Sequence, residues 1–366
     1  MSKQKSTPIT SANHSDLAMT YNNTGLEHRN LGNYPEALIC HRKAREIKQQ
    51  SLHPNHPDLA MTYNNIGLAH RNLGNYPRAL IYYKKTLKIQ KPSLPHNHPD
   101  LAMTYNNIGI VHRNRYDYSK ALSYHKKALK IQKPSLPHNH PDLAMTYNNI
   151  GLVHRNLDDY PKALSYYKIS LAIQKSSLRL NHPNLAVSYS NIGAAYYNMR
   201  NYREALSYYK KSLEIRQKSL SADHPDLAMT YNHIGLVHRN LGDYPRALSS
   251  HEEALRTQKS SLPHNHLDLA MTYNNIGIVH RNLGDYSKAL SYHKKALRIQ
   301  KLSLFPNHRD LAGSYNNIGA VHCSMRNYPK ARTFYEHAIH ITQQSLPANH
   351  PNLQKYTNNF ESIKNK

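Results

Sequence analysis

The fold is decided by a stretch that reads HPDLAMTYNNIGLAHRNLGNY at residues 56–76. Its residues Leu59, Tyr63 and Ile66 follow one another at steps of four and three, the period of an α-helix that buries one face. The proline of the opening His-Pro-Asp suits a first helical turn, because it lacks only a donor that the helix would not use. The aspartate after it lies where the helix dipole favours negative charge. The stretch therefore predicts a helix that begins with this tripeptide.

A second helix is predicted directly after the first. Gly74 and the asparagine that follows it stop the first helix and cap the next one. The apolar pattern then resumes at Tyr76 and runs through Tyr83, again at helical steps. Pro92 is expected to end this second helix, because proline cannot donate a backbone hydrogen bond. The unit is thus a pair of antiparallel helices.

The same tripeptide, or a variant of it, returns at a fixed interval of 42 residues. Strict self-similarity at such a period is typical of a solenoid, in which each repeat contacts only its neighbours. We therefore predict an all-α array of eight repeats over residues 14–349, preceded by a disordered tail at 1–13 and followed by a capping helix at 350–366. The tripeptide begins at His14, His56, His98, His140, His182, His224, His266, His308 and His350.

Composition limits the functions that remain. The 366 residues include 48 Lys and Arg against 22 Asp and Glu, a net charge of +26 that favours anionic partners. Nowhere do 18 apolar residues run together, so no membrane-spanning helix is expected. The two cysteines, Cys40 and Cys323, cannot form a disulfide framework, which favours a cytoplasmic location. No set of nucleophile, base and orienting group is present, so we expect neither an enzyme nor a cofactor.

The spacing around the first-helix glycine resembles the tetratricopeptide repeat. Relative to Gly67, a tyrosine lies four residues earlier, Ala79 lies twelve later and Tyr83 sixteen later. The 42-residue period, the Asn-His-Pro-Asp-Leu-Ala opening and the Tyr-Asn-Asn-Ile-Gly core are similar to the kinesin light chain subfamily over residues 14–360. The resemblance implies a right-handed superhelical solenoid that acts as a scaffold or adaptor for protein partners.

The resemblance also implies which first-helix residues face a partner. Met61, Asn64 and Leu68 share one stripe with Arg71, and in these arrays such a stripe lines the concave groove. Asparagine amides can bond the backbone of an extended peptide, and guanidinium groups match carboxylates. Met61, Met103, Met145, Leu68 and Leu152 would add apolar contact. The predicted peptide-binding residues are Asn22, Asn64, Asn106, Asn148, Asn232, Asn274, Asn316, Arg29, Arg71, Arg113, Arg155, Arg239, Arg281 and Tyr197.

Related light chains bind acidic peptides that carry an aromatic residue, so the resemblance implies an acidic peptide as the partner. The alternative is that the asparagines bond one another and neighbouring helices and only set the pitch of the array. The fifth repeat departs from the pattern with Ser190, Tyr196 and Tyr197, where we expect a specific pocket or, alternatively, neutral drift. The eighth repeat departs with Gly313 in place of methionine and Cys323 in place of arginine.

Three other hypotheses concern charge, metal and the motor. Lysines such as Lys84, Lys88 and Lys126 form an outward stripe, so the runner-up function is binding of a polyanion such as RNA, a tubulin tail or anionic lipid. The His-Asn-His loops, as at His96 and His98, suggest helix caps rather than a metal site, because no cysteine or close carboxylate completes a ligand set. Kinesin light chains precede their repeats with a heptad segment that joins the motor heavy chain. With 13 residues before His14, we do not expect that partner.

Overall fold

The computed structural model describes residues 11–345, 350–364 and 366, and in this described part the chain forms seventeen α-helices and no strand. Residues 1–10 of the expected tail lie outside the described residues, whereas residues 11–13 already belong to the first helix. The helices are α1 (Ser11–Asn30), α2 (Tyr34–Ser51), α3 (Pro57–Asn72), α4 (Tyr76–Ser93), α5 (Pro99–Asn114), α6 (Tyr118–Ser135), α7 (Pro141–Asn156), α8 (Tyr160–Ser177), α9 (Pro183–Asn198), α10 (Tyr202–Ser219), α11 (Pro225–Asn240), α12 (Tyr244–Ser261), α13 (Leu267–Asn282), α14 (Tyr286–Ser303), α15 (Arg309–Ser324), α16 (Tyr328–Ser345) and α17 (Pro351–Glu361).

Each odd-numbered helix up to α15, here termed a first helix, packs on the even-numbered helix that follows it. The array divides into two compact parts, an N-terminal half that ends at Leu178 and a C-terminal half that begins at Arg179. Within each half, every pair also packs on the next pair, as α4 does on α5 and α14 on α15. The predicted all-α repeat array is confirmed.

Histidines cap the first helices from α3 to α15, whereas α1 begins at Ser11 and contains His14. The Nδ1 atom of His98 accepts the backbone N–H of Asp100 at 3.2 Å, which satisfies one of the donors that a helix start leaves free. The same bond forms at His140 and at His266, so the cap role predicted for the His-Asn-His loops is confirmed. Asn or Asp occupies the N-cap of the second helices and in most of them bonds the backbone, as at Asn75, whose Oδ1 accepts the N–H of Arg78, whereas Asn33 and Asn201 make no such bond.

A tight turn separates the two helices of each repeat. At Gly74, with φ of +72°, the backbone N–H bonds the carbonyl of Arg71, and the next N–H bonds the carbonyl of His70. These two bonds form the Schellman motif, which requires a residue in the left-handed region and therefore favours glycine. Tyr116, with φ of 63°, takes the same conformation in the third repeat. The turn thus forms even where the sequence lacks the favoured residue.

The end of the second helix corrects one prediction. Pro92 lies inside the last turn of α4, which continues to Ser93, so Pro92 does not end the helix. α8 and α10 end at the equivalent serine without a proline in that turn. The following leucine, such as Leu94, adopts an extended conformation, and in two repeats this leucine packs against a core cluster. We infer that anchoring of this leucine places the end of the helix.

The core depends on close contact between the two helices of a repeat. A Cβ atom added to Gly67 would lie 2.7 Å from the ring of Tyr83, so only glycine lets the helices approach this closely. Tyr83 also joins a cluster with Leu101 and Ile108 of the next repeat, which makes the core continuous from repeat to repeat. No helix in the described ranges is both long and apolar enough to cross a bilayer.

Candidate functional site

The candidate site is the surface where consecutive first helices meet. In the N-terminal half α3 contacts α5 and α5 contacts α7, and in the C-terminal half α11, α13 and α15 make the same contacts. The inner face is defined here as the part of this surface that carries Met61, Leu68 and the residues at equivalent positions. Met61 is 62 % exposed and Met103 is 41 % exposed, while Leu68 and Leu152 are half-buried. A row of apolar side chains is therefore open to solvent.

The first asparagine row does not line an open wall, contrary to our expectation. Asn106 is only 1 % exposed, and Asn148 and Asn274 are half-buried. An extended ligand on the inner face cannot reach an amide that the protein encloses, so we remove the buried members from the predicted contact surface. The buried members are Asn22, Asn64, Asn106, Asn232 and Asn316.

Hydrogen bonds within and between repeats explain this burial. The amide of Asn106 donates to Thr146 Oγ1 of the next repeat at 2.6 Å, and its oxygen bonds His125 Nδ1 of its own repeat at 2.8 Å. Thr146 in turn donates to Gln132 at 2.6 Å. The same arrangement links Asn232 with His251 and with the threonine of the following repeat. These amides hold neighbouring repeats in register, which is the alternative that the sequence left open.

Two other asparagines of this row accept from the second asparagine of the following repeat. Asn64 Oδ1 accepts from Asn107 at 3.1 Å, and Asn316 Oδ1 accepts from Asn359 at 2.8 Å. Because each residue turns a helix by about 100°, Asn64 lies about 60° to one side of Met61, and the asparagine after it lies about 40° to the other side. Both rows thus point into the seams between first helices, and the methionines lie between the seams. The prediction placed residues three, four and seven positions apart on one stripe. That grouping does not separate directions that differ by about 40° to 60° around the helix.

The arginine row remains partly accessible. Arg29, Arg71, Arg113, Arg155, Arg239 and Arg281 are all half-buried. Arg71 Nη1 donates to Asn107 Oδ1 across the seam at 3.4 Å. Burial, and then the charges of Arg155 and Arg71, lower the pKa of Arg113 from its usual value. The charges of Arg155 and Arg71 thus act on Arg113, and the role of the arginine row in binding stays a prediction.

The tyrosines of the fifth repeat are occupied by internal contacts. Tyr196 stacks on Tyr208 with ring centroids 5.5 Å apart. Tyr197 packs edge-on against Tyr202, and its hydroxyl accepts a hydrogen bond from Asn240 Nδ2 at 2.8 Å. Tyr197 is half-buried, so part of its ring remains available at the position where other repeats have arginine. The specific pocket proposed there stays a prediction.

The aspartates at the helix starts form a feature of the site that our sequence analysis assigned only to capping. Asp58 and Asp100 line a cavity of about 170 Å³ in the seam between α3 and α5, together with Met61 and Met103. Asp268 and Asp310 line a cavity of about 530 Å³ at the corresponding place in the C-terminal half. Asp58 lies about 20 Å along α3 from Arg71. The inner face therefore has an acidic edge at the helix starts and a basic edge at the helix ends.

Lysines on the second helices lie over pairs of tilted tyrosine rings. Lys127 Nζ lies 6.0 Å from the ring centroid of Tyr105 and 5.1 Å from that of Tyr124. Lys295 repeats this arrangement in the C-terminal half with Tyr273 and Tyr292. The outward lysine stripe is thus partly engaged in contacts with aromatic rings of its own repeat.

The tetratricopeptide repeat family model matches the chain over residues 16–92, 71–134, 142–218, 184–260, 226–302 and 268–344. No curated protein matches the chain. Among solved structures, BtubC (BKLC) from P. vanneervenii is similar with a TM-score of 0.52 and 21 % identity, over 65 % of this chain and 94 % of that one.

Two other solved structures are similar over different shares of the chain. A Podosopora anserina protein described as a kinesin light chain with nearly identical repeats has a TM-score of 0.50 and 17 % identity, over 56 % of this chain and 97 % of its own. RapI in its apo form has a TM-score of 0.65 and 16 % identity, over 95 % of this chain and 97 % of its own. These identities support the fold alone. Because the family model covers most of its length, this chain belongs to the tetratricopeptide repeat family.

Proposed function

We propose that the chain is a non-enzymatic scaffold or adaptor that binds extended, acidic peptide segments of protein partners on its inner face. Repeat arrays of this family present long surfaces to their partners, and the apolar row through Met61 and Met103 offers such a surface. Methionine side chains are flexible and polarisable, so they adapt to different apolar groups. The proposal places the partner's apolar residues on this row.

The observation that carries the acidic preference is the crowding of Arg71, Arg113 and Arg155. Burial, and then the charges of Arg155 and Arg71, lower the pKa of Arg113, so these two neighbours destabilise its charged form. A carboxylate that binds between them relieves this repulsion and forms forked hydrogen bonds with a guanidinium group. An acidic peptide therefore gains more at this edge than an equally long neutral one.

The experiment uses the triple variant Arg71→Gln, Arg113→Gln and Arg155→Gln. The probe is a fluorescein-labelled twelve-residue peptide in which Glu alternates with Leu and Ser, and its binding is measured by fluorescence anisotropy. We expect binding to weaken by about tenfold or more, because charge-assisted hydrogen bonds are lost. The buried Asn106 is left intact, since its replacement would disturb the fold rather than the surface.

The matched control removes the same number of charges from the outer stripe, by Lys84→Gln, Lys88→Gln and Lys126→Gln. We expect this control to bind the acidic peptide within about twofold of the unmodified chain. If the control loses binding and the arginine variant keeps it, the inner face is not the site and the polyanion hypothesis replaces ours. Steep loss of affinity with salt for a single-stranded RNA probe would point the same way.

A further inference from the structure

A cavity of about 530 Å³ in the C-terminal half marks the inner face near its last repeat. It lies among α13, α15 and α17, and it is lined by Met271, Ile278, Asn317 and Tyr356. It is more than three times the volume of the cavity of about 170 Å³ at the corresponding seam between α3 and α5. The C-terminal half thus carries an enlarged recess on the face proposed to bind peptides.

The recess coincides with a missing side chain. Gly313 stands at the position that methionine or valine fills in the other seven repeats. A Cβ atom added to Gly313 would have one neighbour within 4 Å, the hydroxyl of Tyr356 at 3.7 Å, which is an ordinary contact. No positive φ angle and no close helix contact therefore requires glycine here. Glycine in the middle of a helix also costs stability, so the fold alone does not account for it.

The charges around the recess differ from those at the arginine row. Asp268 and Asp310 line it, and Arg309 pairs loosely with Asp310 at 3.7 Å. Cys323 replaces the arginine that the other edge would supply, which removes one cation from this end of the inner face. Two carboxylates and one guanidinium group therefore line the recess, and this acidic edge favours a cationic group on the ligand, whereas the acidic preference proposed above belongs to the basic edge of the inner face.

We propose that this recess, the Gly313 cavity, holds one large apolar side chain of a bound peptide whose neighbouring Lys or Arg pairs with Asp268 and Asp310. The apolar side chain takes the place of the methionine that the repeat lacks, and it contacts Met271 and Ile278. The amide of Asn317 lines the same cavity and is within the reach of the peptide backbone. This inference rests on the proposed function, because it requires that the inner face bind peptides.

The test is a selection from a library of twelve-residue peptides displayed on phage, performed on the unmodified chain. The enriched peptides are expected to include a class with a large apolar residue next to Lys or Arg. Each such peptide is then synthesised with a fluorescent label, and its dissociation constant is measured for a graded pair of variants, Gly313→Ala and Gly313→Met. We expect little change for Gly313→Ala, which leaves most of the space, and weakening by about tenfold or more for Gly313→Met, which fills it.

Two further variants separate the cavity from the rest of the surface. Asp268→Asn with Asp310→Asn is expected to weaken the same peptides by about threefold to tenfold, because the cationic residue loses its partners. Lys126→Gln, an exposed position on the outer lysine stripe and outside the inner face, is expected to leave their affinity within about twofold. Circular dichroism melting of each variant verifies that the helices remain folded.

The outcomes distinguish this inference from the proposed function. If the enriched peptides bind Gly313→Met as tightly as the unmodified chain, the cavity inference is overturned while peptide binding stands. If only acidic peptides are enriched and they depend on Arg71, Arg113 and Arg155, the cavity inference is likewise overturned. If no peptide is enriched, the proposed function fails, and the cavity inference fails with it.

Discussion

The third and fourth repeats fill one buried position with different chemistry. His125 in α6 and Tyr167 in α8 are both fully buried, and each ring packs against the first-helix glycine of its repeat so closely that an added Cβ atom would lie 2.6 Å away. The imidazole of His125 bonds Asn106 at 2.8 Å. The hydroxyl of Tyr167 has no partner in the described part of the chain. The same space is therefore filled by a ring that makes a hydrogen bond in the third repeat and by a ring whose hydroxyl makes none in the fourth.

This difference teaches that shape, not polarity, is what the position requires. Burial, and then the charge of Arg113, lower the pKa of His125 to about 3. Burial raises the pKa of Tyr167 to about 12. Both rings are therefore neutral near pH 7, and the two repeats differ only when the pH changes. Burial also lowers the pKa of three other histidines, to about 4 for His41 and His293 and to about 3 for His251. Their repeats are therefore of the same type as the third.

Low pH should give the largest difference in stability between the two repeat types. Between pH of about 6.5 and about 3 the unfolded chain carries a proton on His125 while the folded chain does not, so the free energy of unfolding falls as the pH falls. The expected loss for this residue is about one tenfold step in the unfolding equilibrium per pH unit, or roughly 3 kcal/mol at pH 4.5. His125→Tyr converts the third repeat to the type of the fourth and should remove this loss. Urea unfolding at pH 7.5 and pH 4.5 measures it.

All the other histidines are the same in both chains. The difference between the unmodified chain and His125→Tyr therefore isolates the buried residue. An equal loss of stability for the two chains between these pH values would show that His125 is not held neutral by burial.

Removal of the first-helix asparagine should give the second-largest difference in stability between the two repeat types. Asn106→Ala removes two bonds, that with His125 Nδ1 in its own repeat and that with Thr146 Oγ1 in the next, and we expect a loss of about 2 kcal/mol in the free energy of unfolding. Asn64→Ala lies in a repeat with Tyr83 and removes the bond from Asn107, so we expect about half that loss. Thermal and urea unfolding of both variants give the comparison, and equal losses would contradict the role assigned to the Asn106 bonds.

Removal of a buried tyrosine hydroxyl should give the smallest effect, and it should raise the free energy of unfolding rather than lower it. The hydroxyl of Tyr83 is buried without a partner in the ranges that the structure describes, so Tyr83→Phe should raise the free energy of unfolding by about 0.5–1 kcal/mol. Tyr335 is the matched control, because burial and then Cys323, partly through a hydrogen bond, raise its pKa to about 12. Tyr335→Phe should therefore bring no gain. A loss of stability in Tyr83→Phe would indicate that its hydroxyl is bonded after all.

Our sequence analysis predicted the repeat array and much of its local structure. The 42-residue period, the glycine at the helix contact and the histidine caps were all visible as spacings, because each depends on a few neighbouring residues. Met61 and Met103 are exposed, as a stripe that faces away from the second helix should be, and their contact with a peptide stays a prediction. The end of the second helix was not predicted correctly, because Pro92 is accommodated in the last turn of α4 and the helix continues to Ser93.

The sequence by itself determined that helix pairs repeat at a fixed interval, and it placed methionines on one face of the first helices. Only the tertiary structure decided that Asn106 faces the next repeat rather than a ligand, since a rotation of less than one residue separates the seam from the open face. It also decided that His125 stays neutral and that the absence of a side chain at Gly313 opens a cavity. These properties depend on what neighbouring repeats place around a residue, and a one-dimensional pattern does not contain that information.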